Sequence, residues 1–171
     1  TMNVNGSTLN VGGNVTINIG GSISLNPSGF LPNVNLDVAG DVEVNGNLNC
    51  TTFSGGIFCA GSWNDTGGNL NFGQLASVVF DGAGSQTINS NSVANTFIKV
   101  EIQSGTYAAS SDIAISDRFE IFSGATFNTG IGSNKISIQN NSSEFINNGT
   151  FNFTTAGCEL DYNGNNFTNN F

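Results

Sequence analysis

The chain has no histidine and very little charge. Three residues are Lys or Arg and twelve are Asp or Glu, so 9% of its 171 residues are charged, where about 25% is ordinary. Three cations cannot neutralise a useful number of phosphates, and a net charge of −9 excludes nucleic acid as a partner. The same deficit argues against docking to an anionic membrane surface. No apolar run approaches the ~18 residues that span a bilayer, so no membrane insertion is expected. The three cysteines come without His or a CxxC pair, which makes a poor metal set. No cofactor is expected. No stretch carries a sustained 3.6-residue apolar period, so essentially no α-helix is predicted. The chain opens on Thr1 without a visible secretory leader, as a processed or trimmed N-terminus would.

What remains is a strand-and-turn composition. There are 23 Gly and 14 Phe, abundant Asn, Ser and Thr, and regularly spaced Val and Ile. That is enough apolar material for one folded domain over residues 1–171 and unlike a disordered chain. Val15, Ile17 and Ile19 alternate with Thr16 and Asn18, the period of a strand with one buried face. Glycine pairs then turn the chain.

The alternation recurs. Val15 to Asn26 is echoed by Val34 to Asn45, an offset of 19. Leu36-Asp37-Val38-Ala39-Gly40 returns as Ile57-Phe58-Cys59-Ala60-Gly61 at 21, and Glu101-Ile102 as Glu120-Ile121 at 19. Thr126-Phe127-Asn128 returns as Thr150-Phe151-Asn152 at 24. Fixed strands with variable corners are the mark of a solenoid. An antiparallel sandwich also accommodates short strands, but it does not require like residues to recur. A parallel β-helix stacks equivalent positions about 4.8 Å apart, so like sits on like. The expected fold is therefore all-β, a single-stranded parallel β-helix (β-solenoid) of about eight coils of roughly 20 residues, forming a rod about 40 Å long. Its inward ladders are expected to run Ile17, Leu36, Ile57 and Ile23, Val42, Trp63. Asparagine is expected at corners in left-handed conformation and in stacked amide ladders.

Candidate sites are few. Cys50 and Cys59 flank Gly55-Gly56 and form a disulfide candidate in an oxidising compartment; the alternative is that Cys59 is a small inward residue. Cys158 has no evident mate and reads as a buried thiol. Asp37, Asp41 and Glu43 are weak calcium candidates, set against the plainer reading of solvated outward carboxylates. Asp112, Asp117 and Glu120 surround Arg118, where ion pairing with that arginine is expected. Trp63 falls on an inward ladder. Phe53, Phe58, Phe97 and Phe122 are candidates for outward apolar patches. No catalytic constellation stands out, so no enzyme activity is expected.

The stretches Gly61-Ser62-Trp63-Asn64-Asp65-Thr66-Gly67-Gly68, Val78-Val79-Phe80-Asp81-Gly82 with Gln86-Thr87-Ile88, and Asn95-Thr96-Phe97-Ile98 resemble a repeat of large secreted surface proteins of Bacteroidetes. Asn147-Asn148-Gly149-Thr150-Phe151-Asn152 resembles the start of another copy. The resemblance implies an extracellular, adhesin-like β-solenoid at the cell surface, often exported with a C-terminal sorting domain. No such domain is visible, as expected for a segment of a longer chain or a processed form. Neither end carries a polar cap of the kind that closes natural solenoids. The expected function is a structural or adhesive subunit of a surface fibre, with other copies or neighbouring repeats as partners and surface glycans as a further one. The alternatives are a carbohydrate-active lyase or hydrolase and a passive glycan or ice binder. An ice binder needs an unbroken threonine ladder, and Thr16 is matched by Asn35 in the offset-19 frame.

Overall fold

A computed structural model describes residues 2–4, 8–25, 34–51, 55–74 and 76–170. Among them there are twenty-one short strands and no helix. Every strand pair is parallel. The chain winds repeatedly around three sheets, which is a β-solenoid. The first sheet stacks Met2–Val4, Ser22–Leu25, Asn47–Cys50 and Asn69–Phe72. The second begins with Thr8–Val11, Asn35–Val38, Gly56–Cys59 and Ser77–Phe80. The third stacks seven strands, from Val15–Ile17 through Val42–Val44, Trp63–Asn64, Ser85–Asn89, Thr106–Ala109 and Thr126–Asn128 to Thr150–Asn152.

The third sheet completes six full turns between Val15 and Thr150. The expected eight coils assumed a shorter turn than the corners allow. The second sheet gains a rung at each end of that span. Its central ladder runs Leu9, Leu36, Ile57, Val78, Val100, Phe119, Phe145, Phe167 without a break. Period-two alternation builds it, because every second side chain of a strand falls on the same face. All but the two end residues are at most 2% exposed. Each buried aliphatic or aromatic rung contributes about 1.5–3 kcal/mol. Toward the C-terminus the ladder turns aromatic, with Phe119 in contact with Phe127 (ring centroids 5.0 Å), Phe145 (5.6 Å) and Phe151 (6.4 Å).

The first sheet does not continue directly above Asn69–Phe72. There the Asn95 side chain stands in for a strand: its Oδ1 accepts the Leu70 N–H at 3.0 Å. Higher up, one nine-residue strand, Ile113–Ile121, serves two faces. Its first part pairs with Ile136 to Ile138, and its last part with Glu144 to Asn147.

The stacking register corrects part of the sequence reading. The offsets of 21, 24 and, at Glu101, 19 are true coil periods. The opening echo of 19 is not. Val15 stacks on Val42, well beyond Val34, and Leu9 stacks on Leu36. The echo superposes the third and first faces of one coil on the second and third faces of the next, because all corners share one strand–glycine–strand grammar. Ile17 therefore pairs with Val44, and Ile23 with Leu48. Leu36–Ile57 and Val42–Trp63 stand as expected. Thr16 meets Glu43 rather than Asn35, so the threonine ladder is broken in either frame.

Asparagine works in ladders and not in left-handed corners. Among the described residues every positive φ belongs to glycine. Stacked amides bond directly, as in Asn47–Asn69 (3.2 Å), Asn128–Asn152 (3.0 Å) and Asn147–Asn169 (2.8 Å). Phe97, expected outward, is fully buried and packs edge-on to Trp63. Its strand enters at a corner, where the register slips between Phe97 and Lys99 and reverses the expected facing. Phe58 and Phe122 are half-buried, and Phe53 lies outside the described residues.

Candidate functional site

The structure disperses most of the residues that the sequence proposes as sites. Cys50 and Cys59 are free thiols, both buried. Each is a rung of its own face: Cys50 stacks on Phe72 in the first sheet, and Cys59 between Val38 and Phe80 in the second. The disulfide is thereby overturned in favour of the inward reading. Burial pushes the Cys59 thiol up to about 12. Cys158 is half-buried rather than buried. Its Sγ lies 3.0 Å from the Gly132 carbonyl and 3.1 Å from Thr155 Oγ1.

Asp37, Asp41 and Glu43 all point to solvent. Asp41 serves a corner: its Oδ1 accepts the Ser62 N–H at 2.8 Å, and Asn14 contacts its other oxygen at 3.4 Å. Glu43 accepts the Asn45 amide at 3.0 Å. Among the described residues no three His, Cys, Asp or Glu side chains gather into a set that would hold a metal ion.

All three cations of the chain are paired within it. Lys99 lies 3.6 Å from Asp117 and Lys135 2.7 Å from Asp161. Arg118 bonds Glu120 on its own strand and lies 3.9 Å from Glu144 one coil up. Of the three acids expected around Arg118, only Glu120 pairs with it. Asp117 takes Lys99, and Asp112 accepts the Lys135 backbone N–H at 2.8 Å. Each cation is thus held in an ion pair within the chain.

These charges set a pH dependence. Burial pushes the Glu120 carboxyl above its ordinary value, with Glu101 and Glu144 adding to the shift and Arg118 opposing it. Burial and then Asp37 push Asp81 the same way. In both groups the folded state holds its proton at a pH where the unfolded chain has released it. Stability therefore rises as pH falls from neutrality through the folded values, and the gain is complete near the ordinary 4.5 and 3.8. Relief of self-repulsion at −9 acts in the same direction. The melting temperature is expected to rise as the pH is lowered from neutrality toward 4.5; a steady fall over that range would contradict the assignment.

The repeat-like stretch around Trp63 turns out to be architectural. Asp65 is fully buried, and its carboxylate collects four donors: Trp63 Nε1 at 2.8 Å, Ser90 Oγ at 3.0 Å, Asn91 N at 2.8 Å and Asn95 Nδ2 at 3.0 Å. Asn95 Nδ2 also reaches the Asp65 and Gly68 carbonyls, both at 3.1 Å. This network closes the corner where the first sheet is interrupted. Sequence reasoning missed it. The signal was an acid two residues beyond the only tryptophan, in a chain with few acids.

A shallow concavity of about 380 Å³ lies on the outer face of the third sheet. Two rows of side chains cross it. Asp41, Ser62 and Thr87 form one row, tied by Ser62 N to Asp41 and by Thr87 N to Ser62 Oγ at 3.1 Å. Glu43, Asn64 and Asn89 form the other, in stacking register. The rungs are about 4.8 Å apart and the rows about 7 Å apart. Trp63 lies beneath at 1% exposure. No family model, curated protein or solved structure matches this chain.

Proposed function

We propose that the chain is a structural and adhesive β-solenoid of the cell exterior, a building block of a surface fibre in which coils add end to end. The supporting observation is the last coil. It places Glu159–Tyr162 and Asn166–Asn169 on the coil below, while the third sheet stops at Thr150–Asn152 among the described residues. Two faces of three are covered. Beside them opens a cleft of about 260 Å³ lined by Phe145, Phe151, Phe153, Leu160 and Phe167. Phe153 is 58% exposed and Phe167 54%. An apolar rung with an unpaired strand edge is a template for another strand. A strand laid on Thr150–Asn152 would continue the third sheet and cover these rings. It can come from a second copy or from neighbouring repeats of a longer chain. The low charge favours such stacking, since like charges on successive rungs repel.

Sedimentation and electron microscopy of the purified chain test the reading. Concentration-dependent species larger than one chain are expected, ordered as filaments. Phe153→Asp with Phe167→Asp is expected to hold the chain monomeric without unfolding it. A wild-type chain that stays strictly monomeric at high concentration would remove the homopolymer.

A further inference from the structure

We infer that the groove on the third sheet binds a neutral oligosaccharide, through Glu43, Asn64, Thr87 and Asn89. The inference rests on the adhesive reading for its biological setting and gives that adhesion a ligand class.

The argument begins with asparagines that do not bond each other. Elsewhere on the rod, stacked Asn pairs close on themselves, Asn148–Asn170 at 2.7 Å included. Asn64 and Asn89 are stacked in register too. Yet Asn64 turns its Oδ1 to the Thr66 N–H (3.2 Å) and O–H (2.9 Å), leaving its amide N–H groups unused. Among the described residues, the hydrogen bonds of Asn89 and Thr87 are made by their backbones, to Asp65 N and Ser62 Oγ, and not by their side chains. Glu43 uses only Oε1, for Asn45. One patch therefore presents amide donors, a hydroxyl and a carboxylate oxygen that the protein does not satisfy, on adjacent rungs of a rigid lattice.

The chemistry of the patch selects the ligand. Sugar hydroxyls donate and accept, so a vicinal diol can donate to Glu43 while accepting from Asn64 or Asn89. Asp41 and Glu43 bring negative charge to the rim, and every Lys and Arg of the chain is paired elsewhere. Uronic acids and sulfated sugars would be repelled. This is the opposite preference to that of a lyase acting on acidic polysaccharides. Trp63 is too deep to offer a stacking face, so recognition is polar and weak per site. Repetition of the site along a fibre would supply avidity.

Calorimetric titration of the folded chain with neutral oligosaccharides (cello-, manno- and xylo-oligomers) and with oligogalacturonate tests this, with and without EDTA. Saturable binding of at least one neutral series, indifferent to EDTA, is expected, with none of the acidic series. Asn89→Ala and Glu43→Gln should each weaken it about tenfold or more while Trp63 emission stays that of the folded chain. No saturation by any neutral series, equal binding of the acidic one, dependence on calcium, or unchanged affinity in both variants would each overturn the inference. Sizing the same samples separates it from the fibre reading. Filaments without saccharide binding remove this inference alone, and saccharide binding by a strict monomer removes the filament alone.

Discussion

Replacing Asp65 by alanine is expected to cost about 4 kcal/mol or more. The substitution removes one small carboxylate and strands four donors. The Trp63 indole N–H, the Ser90 hydroxyl, the Asn91 backbone N–H and the Asn95 amide all converge on it within 2.8–3.0 Å. Trp63, Ser90 and Asn95 are each at most 4% exposed. A buried donor without an acceptor costs about 1–3 kcal/mol, and water entering the vacated space recovers only part of that. The loss spreads. Asn95 also supplies the acceptor for Leu70 N–H where the first sheet is interrupted, so a loosened Asn95 frees the top of that sheet. Melting temperature should fall by roughly 10 °C or more, at about 2–4 °C per kcal/mol for a chain of this size. Tryptophan emission should shift to the red as Trp63 meets water. Asp65→Asn keeps the volume and one acceptor but turns an amide N–H toward other donors, and should fall between. Asp37→Ala, at an exposed carboxylate, should stay within about 0.5 kcal/mol. Similar melts for Asp65→Ala and Asp37→Ala would refute the buried network as the corner's main tie.

The fold was legible because a β-solenoid writes its contacts into the sequence as recurrences. Leu36 and Ile57, or Thr126 and Thr150, share a rung and share a residue class. The register was less legible. Three faces of one coil use the same alternation, so an echo between different faces, such as Val15 with Val34, looks like a coil period. The true partner of Val15 is Val42, 27 residues on rather than 19. The groove was invisible for a related reason. Glu43 and Asn64 are closer in sequence than Asn64 and Asn89, although each pair shares a rung step, so no constant period joins the three. Nothing in the composition distinguishes an asparagine that bonds its neighbour, such as Asn128, from one that faces solvent, such as Asn89. The cysteines erred through proximity in sequence. Cys50 and Cys59 lie close along the chain but belong to different sheets.

Gly130→Ala is expected to be nearly as damaging as the loss of Asp65, and Gly124→Ala shows why. Both glycines hold a left-handed backbone, φ +82° and +86°, where a side chain costs roughly 1–2 kcal/mol. Around Gly124 the space is open: a Cβ would meet nothing within 4 Å. Its substitution should show the conformational penalty alone, a loss of a few degrees in melting temperature. At Gly130 a Cβ would lie 1.5 Å from the Ala109 carbonyl oxygen. That oxygen belongs to the coil below and cannot swing aside. Ala109 is 1% exposed at the end of a paired third-sheet strand, and its carbonyl accepts the Asn134 amide at 3.0 Å. The coils must separate locally or the corner must rebuild. Separation would also pull the Gly130 carbonyl from the Thr154 hydroxyl that it accepts from the coil above. Corner and both neighbouring coils thus move together, for a total of at least about 3 kcal/mol. The difference between the two alanine variants measures the close approach of stacked coils, separately from backbone strain. Equal melting temperatures for the two would mean that the corner at Gly130 yields freely, and that rung spacing there is not fixed by the backbone contact with Ala109.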